Sequence, residues 1–184
     1  MVNIRKDNLG KSIREIVFGL EDGLVTTLGL TAGLAASLVA NNIVIIAAIV
    51  EMFAGAVSMA AGTYLSNKSQ LEFIAKEIKK HKKEKKFVEH TFTSPAKAAL
   101  TISFFYILGA IPPILPYFFA SLYNALISSV VIGALTLFGI GVWKTRITKR
   151  EPMKSGFEML VVGLLAALVG FIVGNILNYY VGVI

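Results

Sequence analysis

The chain has 184 residues, 55% of them hydrophobic, with a mean hydropathy of +0.72, more apolar sequence than the core of a soluble domain this size can hide. Its net charge of +7 does not make it a nucleic-acid binder, because no aromatic residues are interleaved with the cations for base stacking. The absence of cysteine excludes a disulfide framework and a thiolate metal site.

Five apolar stretches stand out, at about 16–40, 43–65, 97–120, 122–143 and 157–182. Each is long enough to cross a hydrocarbon core of roughly 30 Å at 1.5 Å per residue. They predict an all-α integral membrane protein with five transmembrane helices in a single domain over 1–184. The first stretch is too long for a cleavable signal peptide and lacks its small-residue cleavage pattern, so it reads as a retained span. The preceding MVNIRKDNLGKS reads as an interfacial turn. Asn41-Asn42 is a tight-turn signal joining spans one and two into a hairpin. Span two ends near Tyr64-Leu65-Ser66, and 67–95 is a short basic cytoplasmic loop or helix. There Leu71, Ile74 and Ile78 recur at helical spacing, so span two can continue as a cytoplasmic helix. Asn67-Lys68-Ser69 is a glycosylation sequon, expected to go unused on the inner side. Ser94-Pro95 starts span three, and Pro112, Pro113 and Pro116 predict that it kinks or ends near the outer interface; a gating hinge is the sharper reading. Tyr117, Tyr123, Tyr179 and Tyr180 fit an outer aromatic belt and Trp143 an inner one. Glu158 reads as interfacial, and Asn175 and Asn178 as hydrogen-bonding between helices.

The cations fix an orientation. Arg5, Lys6, Lys11 and Arg14 precede span one, Lys68 to Lys97 lie between spans two and three, and Lys144, Arg146, Lys149, Arg150 and Lys154 lie around the connection of spans four and five. The other connections and the C-terminal tail carry none. By the positive-inside rule the N-terminus is cytoplasmic and the C-terminus outside. The basic connections are expected to meet anionic lipid headgroups.

The informative residues are the acids inside the spans, each costing about 2.5–3.5 kcal/mol at a helix centre on insertion scales. On a helical projection Glu15, Gly19, Asp22, Thr26, Gly29 and Gly33 share one face of span one, with Glu15 and Asp22 roughly 10.5 Å apart along the axis. Glu21 points elsewhere. In span two Glu51, Gly55, Ser58, Met59 and Gly62 share a face. Glu51 has no Lys or Arg near it in sequence, so it must be protonated, solvated, hydrogen-bonded to a neighbouring helix or bound to a cation. Asp22 raises the same choice. Glu15 can pair with Arg14 or Lys11, or serve an ion. The glycines suit close helix packing. Carboxylates alone suit Mg, Ca or Mn, whereas the thioether of Met59 tilts the set toward a softer ion such as Fe²⁺. Metal binding to protonated acids releases protons, which suits exchange.

IREIVFGLEDGLVTTLGLTAGL (13–34), EMFAGAVSMAAGTYLSNKSQ (51–70), SPAKAAL, IPPILPYF and SGFEMLVVGLLAALVG together resemble the vacuolar iron transporter (VIT) family over nearly the whole chain. The resemblance implies five spans, a homodimer with span one at the interface, and export of Fe²⁺, often Mn²⁺ too, from the cytosol by proton antiport with alternating access. The metal is then cargo, and no permanently bound cofactor is expected. The family's metal path uses two acids seven apart in span one and an acid and a methionine eight apart in span two, which fall here on Glu15, Asp22, Glu51 and Met59. Glu15 replaces an aspartate of the family pattern and keeps its charge. By this resemblance Asp22 and Met59 form the central site, Glu15 receives metal from the cytoplasm, and Glu51 is a ligand or proton carrier. The glycines of span one would let two copies of it approach and share an ion.

The loop departs from the pattern. Plant relatives carry a longer glutamate- and methionine-rich metal-collecting domain there. Here Glu77, His81 and Glu84 fall on one helical face, with Glu72, Glu89 and His90 nearby, as a weak cytoplasmic metal candidate. Seven lysines between Lys76 and Lys86 oppose a dication and favour a solvated, lipid-facing helix. The small size, short loop and composition look prokaryotic, which implies the cell membrane; a eukaryotic chain would belong in a vacuolar membrane. The rival readings are an intramembrane hydrolase with a carboxylate dyad and a non-transporting membrane scaffold.

Overall fold

The computed structural model describes residues 4–78 and 93–181, with the side chains of 12–75 and 93–180. Among them are five long helices, α1 (Ile4–Ala36), α2 (Asn41–Ile78), α3 (Pro95–Ile114), α4 (Leu122–Thr148) and α5 (Pro152–Val181), with a 3-10 turn at Leu115–Phe118 after α3. A segment of each is long and apolar enough to cross a membrane, as the sequence predicts.

The boundaries differ from expectation where local chemistry overrides hydropathy. α1 starts at Ile4, so the segment expected as a turn is helical. It contains no proline, and nothing stops the helix propagating outward from the span. The α1–α2 turn lies at 37–40, with Leu38 in the left-handed position at φ 58°, and Asn41 and Asn42 are the first residues of α2. The side-chain amide of Asn41 instead donates to the carbonyls of Tyr117 (3.3 Å) and Ala120 (2.7 Å), tying this turn to the α3–α4 connection. α2 does continue beyond its apolar part, to Ile78. At the start of α3, Ser94 accepts a hydrogen bond from the Lys97 N–H, with Pro95 in the first helical position. α3 runs through Pro112 and Pro113 before tightening into the 3-10 turn; lacking N–H groups, the two prolines leave the carbonyls of Leu108 and Gly109 without their usual donors, and the α-helix ends one residue later.

α1 is the central helix, packed against all four others. Leu24, Thr27, Leu28 and Thr31 are fully buried along it. Its close approaches rely on missing side chains. A Cβ on Gly23 would collide with the Tyr106 carbonyl of α3, and one on Gly170 or Gly174 of α5 with the carbonyls of Gly29 or Gly33. Gly19 likewise faces the Ile102 carbonyl of α3, 2.6 Å from an ideal Cβ. The α1 glycines expected to serve a contact between two copies are therefore occupied by α3 and α5 of the same chain.

At one end of the bundle Ala35, Val44, Tyr117 and Ala125 form a buried cluster. There too the Ser37 hydroxyl donates to the Gly174 carbonyl at 3.0 Å. This end gathers the C-termini of α1, α3 and α5 with the N-termini of α2 and α4, and the sequence places no Lys or Arg near any of them. Tyr117, expected in an aromatic belt, is buried here with its hydroxyl donating to the Thr31 carbonyl. Tyr123, Tyr179 and Tyr180 are exposed. Asn175 donates to Phe171 of its own helix and not across helices.

Candidate metal site

The four-residue turn makes α1 and α2 antiparallel, and one hydrogen bond sets their register. The Thr27 hydroxyl donates to Glu51 Oε2 at 3.0 Å. Taking Thr27 and Glu51 as level, Asp22 lies about 7.5 Å toward the cation-bearing end, Met59 about 12 Å and Glu15 about 18 Å, at 1.5 Å per residue. The four residues thus form a staggered ladder. Among the described residues no three His, Asp or Glu side chains converge as a metal cage.

Glu51 is held by neutral donors. Thr27 takes one oxygen, and the Tyr106 hydroxyl of α3 donates to the other. Tyr106 reaches it by crossing above Gly55, one turn along α2, where a Cβ would sit within 2.7 Å of a ring carbon. Of the four choices open to Glu51, hydrogen bonding to neighbouring helices is therefore realised, from α1 and α3 together. No Lys or Arg lies between Arg14 and Lys68 or between Lys97 and Lys144, so its two hydrogen bonds bring no compensating charge.

Asp22 is less constrained. It is partly exposed, and its one hydrogen bond is a long one, 3.4 Å, from Thr26. It lies on the strip of α1 that other helices leave open, with exposed Phe18 and Thr26 one turn to either side. Met59 is likewise partly exposed. Glu15 is buried, and its Oε2 has no hydrogen-bond partner. Arg14 is exposed and makes no ion pair with it, so that pairing is absent; the side chain of Lys11 lies outside the described residues. A buried carboxylate oxygen without a donor is costly unless a cation or proton meets it. The weak cytoplasmic set is not described: Glu77 belongs to the last turn of α2 but its side chain lies outside the described residues, as do His81, Glu84, Glu89 and His90 entirely.

Thr27 and Tyr106 were missed as site residues. A signal for Tyr106 does exist, since a phenol in the apolar run TISFFYILGA must find a partner when buried.

The sequence model of the VIT family matches residues 13–90 and 85–175, which together reach into all five spans. The chain belongs to the VIT family. Relatives include vacuolar iron transporter 1 of Arabidopsis thaliana, 28% identical over 92% of this chain and 88% of its own length. Protein CCC1 of Saccharomyces cerevisiae is 30% identical over 88% of this chain and 70% of its own length. Vacuolar iron transporter homolog 4 of Arabidopsis thaliana is 32% identical over 86% and 80%. Membership of the VIT family makes the chain a multi-pass membrane protein of a transporter family, and it sets aside the hydrolase reading. The ladder offers oxygen donors at three levels and a sulfur at a fourth.

Proposed function

We propose that the protein exports a divalent transition ion, Fe²⁺ and also Mn²⁺, from the cytosol in exchange for protons by alternating access. The names of its relatives support iron as cargo. The ladder Glu15–Met59–Asp22–Glu51, with no Lys or Arg in α1 beyond Arg14 or in α2 before Lys68, is the observation that carries the reading. Metal enters at Glu15 on the cation-rich side, which is cytoplasmic by the positive-inside rule, and Asp22 with Met59 forms the central site. Binding displaces protons from the acids, which links the two fluxes in opposite directions. One chain supplies too few donors at any one level, which favours a homodimer with α1 at its interface. The open strip of α1 bearing Phe18, Asp22 and Thr26 is the face two copies would share, so that each contributes an Asp22.

The test is a proteoliposome assay with a metal-sensitive fluorophore and a pH dye. Fe²⁺ uptake with opposite proton movement is expected, and Asp22→Ala removes both. No flux under any gradient would sink the transporter reading, and normal flux in Asp22→Ala would sink the site.

A further inference from the structure

At the cation-bearing end, the corner between α4 and α5 forms a cleft of about 370 Å³ lined by Lys149, Arg150, Glu151, Lys154, Ser155 and Glu158. Nothing in the metal ladder uses it. Lys149 closes α4 in the left-handed conformation, its N–H bonded to the Thr145 carbonyl, and the chain turns at once into α5. The first turn of α5 presents backbone N–H groups at Met153 and Lys154 that no side chain caps among the described residues, and a helix N-terminus favours an anion.

The second observation is Ser155. It is 2% exposed and lines the cleft, yet its hydroxyl has no hydrogen-bond partner. It is buried because α4 carries Gly141 opposite, where a Cβ would approach the Ser155 carbonyl to 2.5 Å. A buried hydroxyl left unbonded is costly, and this one belongs to a residue in the wall of the cationic cleft. Arg150 and Glu158 pair at 3.8 Å. Three cations against two carboxylates leave one net positive charge, which matches the single negative charge of a phosphodiester.

The cleft continues along α5. A neighbouring apolar groove is lined by Lys154, Phe157, Glu158, Val161 and Val162, sharing Lys154 and Glu158 with the cup. A charged cup joined to an apolar groove on a membrane-crossing helix has the form of a headgroup followed by an acyl chain. We propose that the α4–α5 corner binds one phospholipid of the adjacent leaflet, its phosphate held by Lys149, Lys154 and the Ser155 hydroxyl and one acyl chain lying on Phe157, Val161 and Val162.

Native mass spectrometry of the full-length chain in detergent, with added phosphatidylglycerol, tests this. One phospholipid per chain stays bound at collision energies that strip the rest. The double variant Lys149→Gln/Lys154→Gln lowers its occupancy about tenfold through the loss of two charge-assisted contacts. Ser155→Ala, which removes only the hydroxyl, lowers it about threefold. Lys97→Gln removes an exposed cation from the same end of the bundle but outside the cleft and leaves occupancy unchanged. Elution volume and melting temperature, unchanged in Ser155→Ala, show that loss of lipid is not loss of fold. Equal loss in Lys97→Gln, or full retention in the double variant, overturns the proposal. Retention in Ser155→Ala overturns the built site and leaves surface charge alone. A parallel titration with inorganic phosphate separates the sources: phosphate binding with the same residue dependence, without lipid retention, overturns the lipid assignment.

Discussion

The two halves of α1 use their polar groups in opposite ways. From Thr27 to Ser37 every polar side chain is spent on the protein itself: Thr27 on Glu51, Thr31 on the Leu28 carbonyl and Ser37 on Gly33 and α5. From Glu15 to Thr26 the polar groups are left over. Glu15 has a buried oxygen without a donor, and Asp22 has one long bond. The C-terminal half is a scaffold completed by its neighbours, and the N-terminal half is chemically incomplete, with carboxylate oxygens that no donor of the chain fully satisfies. Glu51 sits at the boundary and shares both characters.

Substitutions break this contrast to different degrees. The largest effect is expected from Asp22→Ala, where transport falls to background in the proteoliposome assay while the melting temperature in detergent holds, because no packing depends on that carboxylate. Gly23→Ala is next for stability. Its methyl meets the Tyr106 backbone carbonyl, which cannot step aside as a side chain would. We expect a loss of about 3 kcal/mol, seen as a large drop in melting temperature. Thr27→Val keeps shape and removes one donor to Glu51, at a cost of about 1–3 kcal/mol; the same assay should show melting and transport both altered, since Glu51 belongs to scaffold and ladder alike. Asn41→Ala cuts the tie between the α1–α2 turn and the α3–α4 connection and is expected to lower stability by about 1 kcal/mol with transport retained. The smallest change runs the other way. Gly139 has nothing within 4 Å of an added Cβ, so Gly139→Ala should raise stability by about 0.5–1 kcal/mol through helix propensity.

Hydropathy alone made the five spans legible, because a run of apolar residues long enough to cross a bilayer has few other uses. The helix start at Ser94-Pro95 was legible for a similarly local reason, a cap and a proline in adjacent positions. Asn41 misled because its turn propensity is real but its amide found better use across the bundle. Tyr117 misled because a tyrosine near the end of a span suits either an interface or a buried carbonyl, and only packing decides. The glycines of α1 announced close approach without naming the partner, since periodicity gives a face and says nothing of which helix covers it. Asp22, Glu51 and Met59 could be found as costly or unusual residues in apolar spans. The Thr27 and Tyr106 bonds to Glu51 could not, since they depend on the relative height of three helices, which no single-helix pattern encodes.

Gly62 and Gly139, both open on the side where a Cβ would stand, gain a practical use from the absence of cysteine. A single thiol placed at either one carries a spin or fluorescent label with no background from native residues, one on α2 and the other on α4. Label-to-label distances between two such chains would then report directly whether, and through which face, the copies associate, and how that distance changes when metal is added.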